Sequence, residues 1–283
     1  MSSPTITKAG TGMEALLNYG FLQRALAAGV FIGIACAVLG VFLLLRKDAM
    51  IGHGLSHIAF AGVALGLFLN VLPLAAALVT SVVVALAIVK LRNRVGLPGD
   101  VAIGIFSSLG LAVGILLATL SRSFNVDLLT YLFGEVLAIE PLEVWLSVGL
   151  AALIIAVVVR FYPQLQFATF DRESARAMGV RVERLDTLVT VLTAVTVVLG
   201  MKVAGILLVA ALLVIPAAAG LRAARSFKGA VVTASAIATV SVILGLAAAF
   251  ELDIPASAAI VIVAFLGFGF FALKRARTGA GRT

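Results

Sequence analysis

With 63% of its 283 residues hydrophobic, 12% charged and a mean hydropathy of +1.21, this chain carries far more apolar side chain than one water-soluble core can bury. A net charge of +8 on so apolar a sequence reports which side of a membrane the loops occupy, so it is no nucleic-acid signal and no nucleic-acid partner is expected. The single cysteine, Cys36, excludes an internal disulfide framework and a thiolate metal cluster, and no Gly-x-x-x-x-Gly-Lys-Ser/Thr phosphate loop occurs.

Residues 1–20 read as a polar, interfacial segment that runs into a long apolar stretch without a small-residue cleavage site, so a cleavable signal is not expected. Apolar runs able to cross a bilayer follow at 21–45, 50–70, 72–89, 101–120, 142–159, 188–201, 203–221, 230–250 and 256–273. These are nine candidate spans, or eight if the short sixth run and its neighbour, parted only by Met201-Lys202, are one. The expected fold is all-α: a polytopic membrane helical bundle forming one domain over 21–273, followed by a basic cytoplasmic tail at 274–283.

Arg46 and Lys47 end the first span, Lys90, Arg92 and Arg94 the third, and Arg160 the fifth. Arg222, Arg225 and Lys228 follow the seventh, and Lys274, Arg275 and Arg277 the last. Alternating spans bring all these ends to one side, the cytoplasm by the positive-inside rule, with the N-terminus outside. Lys8, Arg24, Arg122 and Lys202 remain outside, with Glu14, Asp127, Glu135, Glu140, Glu143, Glu251 and Asp253. Such an acidic mouth concentrates cations; the competing reading is that loops simply need polar residues.

The two histidines, His53 and His57, stand four residues apart in the second span. That is about one helical turn, a rise of roughly 6 Å, so both imidazoles leave one helix face. Ionisable groups at membrane depth usually mark an ion path; hydrogen bonding between neighbouring helices is the alternative. Two nitrogens do not complete a tetrahedral site, so further ligands come from other helices, a second copy or water. Asp48 and Asp100 are additional candidate ligands, each with helix N-capping as a competing role. His53-Gly-Leu-Ser-His57 lacks the glutamate of a His-Glu-x-x-His protease. Gly-x-x-x-Gly spacings at 29–33, 62–66 and 110–114 suit close helix packing.

One long polar stretch, 160–186, lies on the cytoplasmic side. Within it Asp171 is a helix N-cap, Glu173 and Ala175 fall in the first turns, and Gly179 is a stop, which predicts a short helix at 171–179 across the inner face. It is either a connector or a docking element.

The run Arg46-Lys-Asp-Ala-Met-Ile-Gly52-His53-Gly-Leu-Ser56-His57-Ile-Ala-Phe-Ala-Gly62 resembles a stretch that follows the first span in the membrane subunits of ATP-binding-cassette importers for zinc, manganese and iron. Tyr131-Leu-Phe-Gly134-Glu135 is similar to that family's outer Leu-Phe-Gly element, Phe170 to Gly179 to its coupling segment, and Gly205 to Pro216 to its Pro-containing span. The resemblance implies a permease without its own catalytic site or permanently bound cofactor. It further implies a homodimer in membrane lipid, ATP hydrolysed by a cytoplasmic ABC ATPase dimer, and delivery by an extracytoplasmic metal-binding protein. Phe170, Asp171, Glu173, Ala175 and Gly179 would couple to the ATPase, and Pro216 would kink its helix. His57 falls on the family histidine, whereas His53 replaces the commoner aspartate; nitrogen in place of oxygen favours Zn2+ over Mn2+. The implied location is the prokaryotic cytoplasmic membrane. A secondary metal-cation carrier or channel is the alternative, but the inverted repeat such carriers often show is not evident.

Overall fold

The computed structural model describes residues 18–120, 134 and 139–279, the last five by backbone alone. Eleven helices and no strands form among the described residues: α1 (Gly20–Leu45), α2 (Ile51–Phe68), α3 (Pro73–Val95), α4 (Gly99–Leu120), α5 (Pro141–Arg160), α6 (Tyr162–Phe170), α7 (Arg172–Ala177), α8 (Val182–Ala204), α9 (Ile206–Ala223), α10 (Phe227–Leu252) and α11 (Ala256–Gly279). All except α6 and α7 are long and apolar enough to cross a membrane, giving nine spans among the described residues. Residues 1–17, Arg122, Asp127, Tyr131 to Phe133 and Glu135 lie outside the described residues, as do the side chains of Arg275 and Arg277.

Three boundaries differ from expectation. The turn between the sixth and seventh spans falls at Gly205, not at Met201-Lys202; its φ of 81° and ψ of 155° suit only glycine, so α8 runs on through Lys202. The same helix starts at Val182 rather than 188, because the chain re-enters helix directly after the stop at Gly179 and carries Glu183, Arg184 and Asp186 in its first turns. The basic residues 274–279 continue α11 as helix instead of forming a separate tail.

The core is built around α1, which packs against α5, α8, α9 and α10 and is the most deeply buried span together with α2 and α8. A second group, α2 with α3 and α4, joins it through α8 and α9. In lipid there is little hydrophobic drive between helices, so close backbone approach supplies the packing energy. All three Gly-x-x-x-Gly pairs serve this purpose: Gly29 and Gly33 face Ala238 and Val242 of α10, Gly62 and Gly66 face Ala77 and Pro73 of α3, and Gly110 and Gly114 face Ile58 and Phe60 of α2. Outward faces of α3, α4, α5 and α11 remain apolar and exposed, with Val79, Val83, Leu109, Leu116, Leu153 and Phe265 among them, as lipid contact requires.

Candidate functional site

Two regions concentrate the polar chemistry. The first begins where α1 ends. Lys47 adopts φ 62°, its amide donates to Leu44 O and that of Asp48 to Leu43 O, a left-handed cap that turns Arg46 and Asp48 inward. Asp48 does not cap α2, whose N-cap is Met50; its carboxylate instead receives Arg92 Nη1 on both oxygens at 2.9 Å. Arg92 Nη2 and Arg46 Nη1 reach Asp186 of α8 at 3.2 and 3.0 Å, and Arg172 of α7 also pairs with it. Charge pairing therefore gathers the ends of α1 and α3 and the starts of α7 and α8 on one face, the side on which alternation put the basic clusters.

On that face Phe227 of α10 gathers rings from three other positions: Phe42 at 5.1 Å, Tyr162 at 5.7 Å and Phe170 at 6.1 Å between centroids. They hold both ends of α6, a helix the polar sequence did not announce except through Pro163 in its first turn. After it, α7 forms where expected. Asp171 is the N-cap and accepts from Ser174 N at 2.9 Å and Ser174 Oγ at 2.6 Å, which together pull its carboxyl below the usual aspartate range. Gly179, at φ 84°, ends the helix with its N–H on Arg176 O while Val180 N–H reaches Ala175 O. Ala175 is buried, whereas Phe170, Asp171, Glu173 and Met178 face outward.

The second region is a pocket of about 260 Å³ lined by His53, Ser56, His57 and Phe60 of α2, Leu111 and Ile115 of α4, and Ile206, Leu207 and Ala210 of α9. The expected shared face is present: His53 Nε2 and His57 Nε2 lie 3.2 Å apart, their rings near perpendicular at 84°. His57 is half-buried and His53 exposed on the surface of the single chain. Ser56 is spoken for, donating to Gly52 O at 2.9 Å. The remaining wall is apolar, so among the described residues the imidazoles are the pocket's only strong ligand donors.

Neither aspartate joins them. Asp48 belongs to the inner charge cluster, and Asp100 lies exposed in the first turn of α4, where its charge complements the helix dipole. Among the described residues no group of three or more His, Cys, Asp or Glu gathers around one point. Pro216 is buried inside α9. At the opposite end, Lys202 pairs with Glu143, and Glu140, Glu251 and Asp253 are exposed. Asp186 and Arg172 were not singled out by the sequence, Arg92 only as part of a basic cluster, and the Leu and Ile walls of the pocket not at all.

The sequence matches the family described as the ABC 3 transport family over residues 18–274. The manganese transport system membrane protein MntC of Halalkalibacterium halodurans is 35% identical over 179 residues, covering 63% of this chain and 61% of that protein. The alignment thus spans about three fifths of that relative's length. The high-affinity zinc uptake system membrane protein ZnuB of Haemophilus influenzae is 34% identical over 177 residues, 62% of this chain and 67% of that protein. Among solved structures, PsaBC from Streptococcus pneumoniae in complex with Fab superposes with a TM-score of 0.81 at 31% identity, covering 92% of this chain and 94% of that one.

Proposed function

The chain belongs to the ABC 3 transport family and is a multi-pass protein of the plasma membrane, and from that premise we propose that it is the permease subunit of an ATP-driven importer of divalent transition-metal ions, zinc before manganese. The observation that carries this reading is the imidazole pair. An ion about 2.0–2.1 Å from each nitrogen, bridging 3.2 Å, subtends an angle of about 100°, close to tetrahedral. Without an ion one ring's Nε2–H donates to the other's Nε2; binding needs both Nε2 lone pairs, so a neutral donor ring must shift to its Nδ1–H tautomer.

With apolar walls around two nitrogens, the other coordination positions fall to water or to a second copy. Incomplete coordination suits transfer, since an ion held by four fixed ligands does not leave. His53 supports the dimer as well: an imidazole on the surface of a membrane-crossing helix is costly against lipid, so a second copy covers this face. Relatives of nearly equal identity are named for manganese and for zinc, so the preference rests on the donors: two nitrogens favour the borderline metal, and manganese is better served by carboxylates.

Energy enters at α6 and α7. Phe170, Glu173 and Met178 present an exposed surface for a cytoplasmic ATPase, and closure of two ATPase subunits drives the pair of permeases from outward-facing to inward-facing. At the opposite end the exposed acids draw cations and receive an extracytoplasmic metal-binding protein. Vesicles holding the permease with its ATPase and binding protein are expected to take up zinc only with ATP, and His57→Ala to lose uptake with the complex still assembled. Uptake by the permease alone would establish the carrier alternative; normal uptake by His57→Ala would remove the site.

A further inference from the structure

Asp186, with its side chain only 2% exposed, receives three guanidinium groups, from Arg46, Arg92 and Arg172. Arg92 also holds Asp48, so the cluster contains three cations and two anions. The three arms are unequal. Side chains of Arg46 and Arg92 are 3% and 13% exposed, that of Arg172 is 35% exposed and belongs to α7. Withdrawing Arg172 leaves two arginines on two aspartates, a neutral set in which no buried charge is stranded; withdrawing Arg92 would strand Asp48. Arg46 Nη2 is buried with no acceptor among the described residues, a spare donor on an arginine that already pairs with Asp186.

Building on the transporter reading, we propose that Asp186 is the positioning residue through which movement of α7 reaches the histidine helix, with Arg172 as its releasable arm. The route is short. Arg172 ties α7 to Asp186, Arg92 ties Asp186 to Asp48, and the Asp48 carbonyl accepts the amide of Ile51 at 3.1 Å, the first residue of the helix bearing His53. Arg46 Nε holds Thr169 of α6 at 3.1 Å, so the segment before α7 is tied to the same centre. Two contact sets, with and without Arg172, supply the bistable element that coupling between distant sites requires.

The test compares wild type, Arg172→Gln and Arg172→Lys, each assembled with the ATPase and binding protein in vesicles, with Zn2+ as the probe. ATPase association, ATP hydrolysis and zinc uptake are measured together. Arg172→Gln is expected to assemble and hydrolyse ATP while zinc moved per ATP falls roughly tenfold, and Arg172→Lys to recover part of it. An unchanged zinc-to-ATP ratio in Arg172→Gln overturns the proposal, and so does a loss that merely follows loss of ATPase association. Absence of ATP-dependent uptake in wild type is a separate result, which would bring down the transporter reading and this proposal with it.

Discussion

The inner charge cluster and the histidine pocket treat polar groups in opposite ways. Around Asp186 ionic side chains from α3, α7 and α8 and from the α1–α2 turn satisfy one another, and among their buried atoms only Arg46 Nη2 lacks a partner within the described residues. In the pocket two nitrogens face apolar walls, with no other ion-binding side chain among the described residues. Charges that must stay are surrounded by counter-charges; ligands that must let go are given none. The first arrangement holds the helices in register, and the second keeps a cation exchangeable.

Substitutions in the two regions should therefore fail differently. Asp186→Ala removes the only acceptor on which three arginines converge, and loss of one partner from a buried ionic set costs about 3–5 kcal/mol. Its expected result is a large drop in folded permease, read by thermal melting in detergent; a melting temperature within a degree or two of wild type would show that the cluster does not hold the fold. His57→Ala should do the reverse: uptake falls by about 100-fold, the scale of losing a metal ligand's orientation, with the melting temperature little changed. His53→Asp restores oxygen at one ligand position and is expected to shift the zinc-to-manganese uptake ratio roughly tenfold towards manganese. An unmoved ratio would take position 53 out of selectivity.

The smallest effect is expected at Asp171. Its carboxyl sits below the ordinary aspartate range because Ser174 donates to it twice. A depressed folded value means the cap contributes fully above the unfolded value of about 3.9 and is lost only as pH falls through the lower folded value. Hydrogen exchange at the Ser174 amide should thus show pH-independent protection of α7 across the neutral range. Asp171→Asn should keep most of that protection, and Asp171→Ala should lose it.

Local rules made much of this legible in the sequence. Span length, the four-residue interval of the histidines, the small-residue spacings, and the Asp171 and Gly179 punctuation each depend on neighbours within a turn or two. What stayed hidden depends on partners far along the chain. Arg46 and Asp186 are 140 residues apart, and nothing around Asp186 distinguishes an acid that collects three arginines from one that only faces solvent. Leu111, Ile115 and Leu207 line the pocket but read like any lipid-facing residue, because both environments are apolar. Helix α6 hid in a polar stretch where only Pro163 marked its first turn.

The joint at Gly205 gives the bundle a lever. A single residue connects α8 to α9, and the backbone of Gly134 lies so close to Ala204 and Gly205 that even a methyl group there would meet them at 2.6 Å. With so little room at the joint, a displacement of the end of α8 is passed directly to the start of α9. Over the 23 residues of α8, about 34 Å, a swing of only about 5° carries the far end about 3 Å. That far end leads into Ile206, Leu207 and Ala210, which wall the imidazoles, so a tilt of α8 about its cytoplasmic end is felt at the pocket wall.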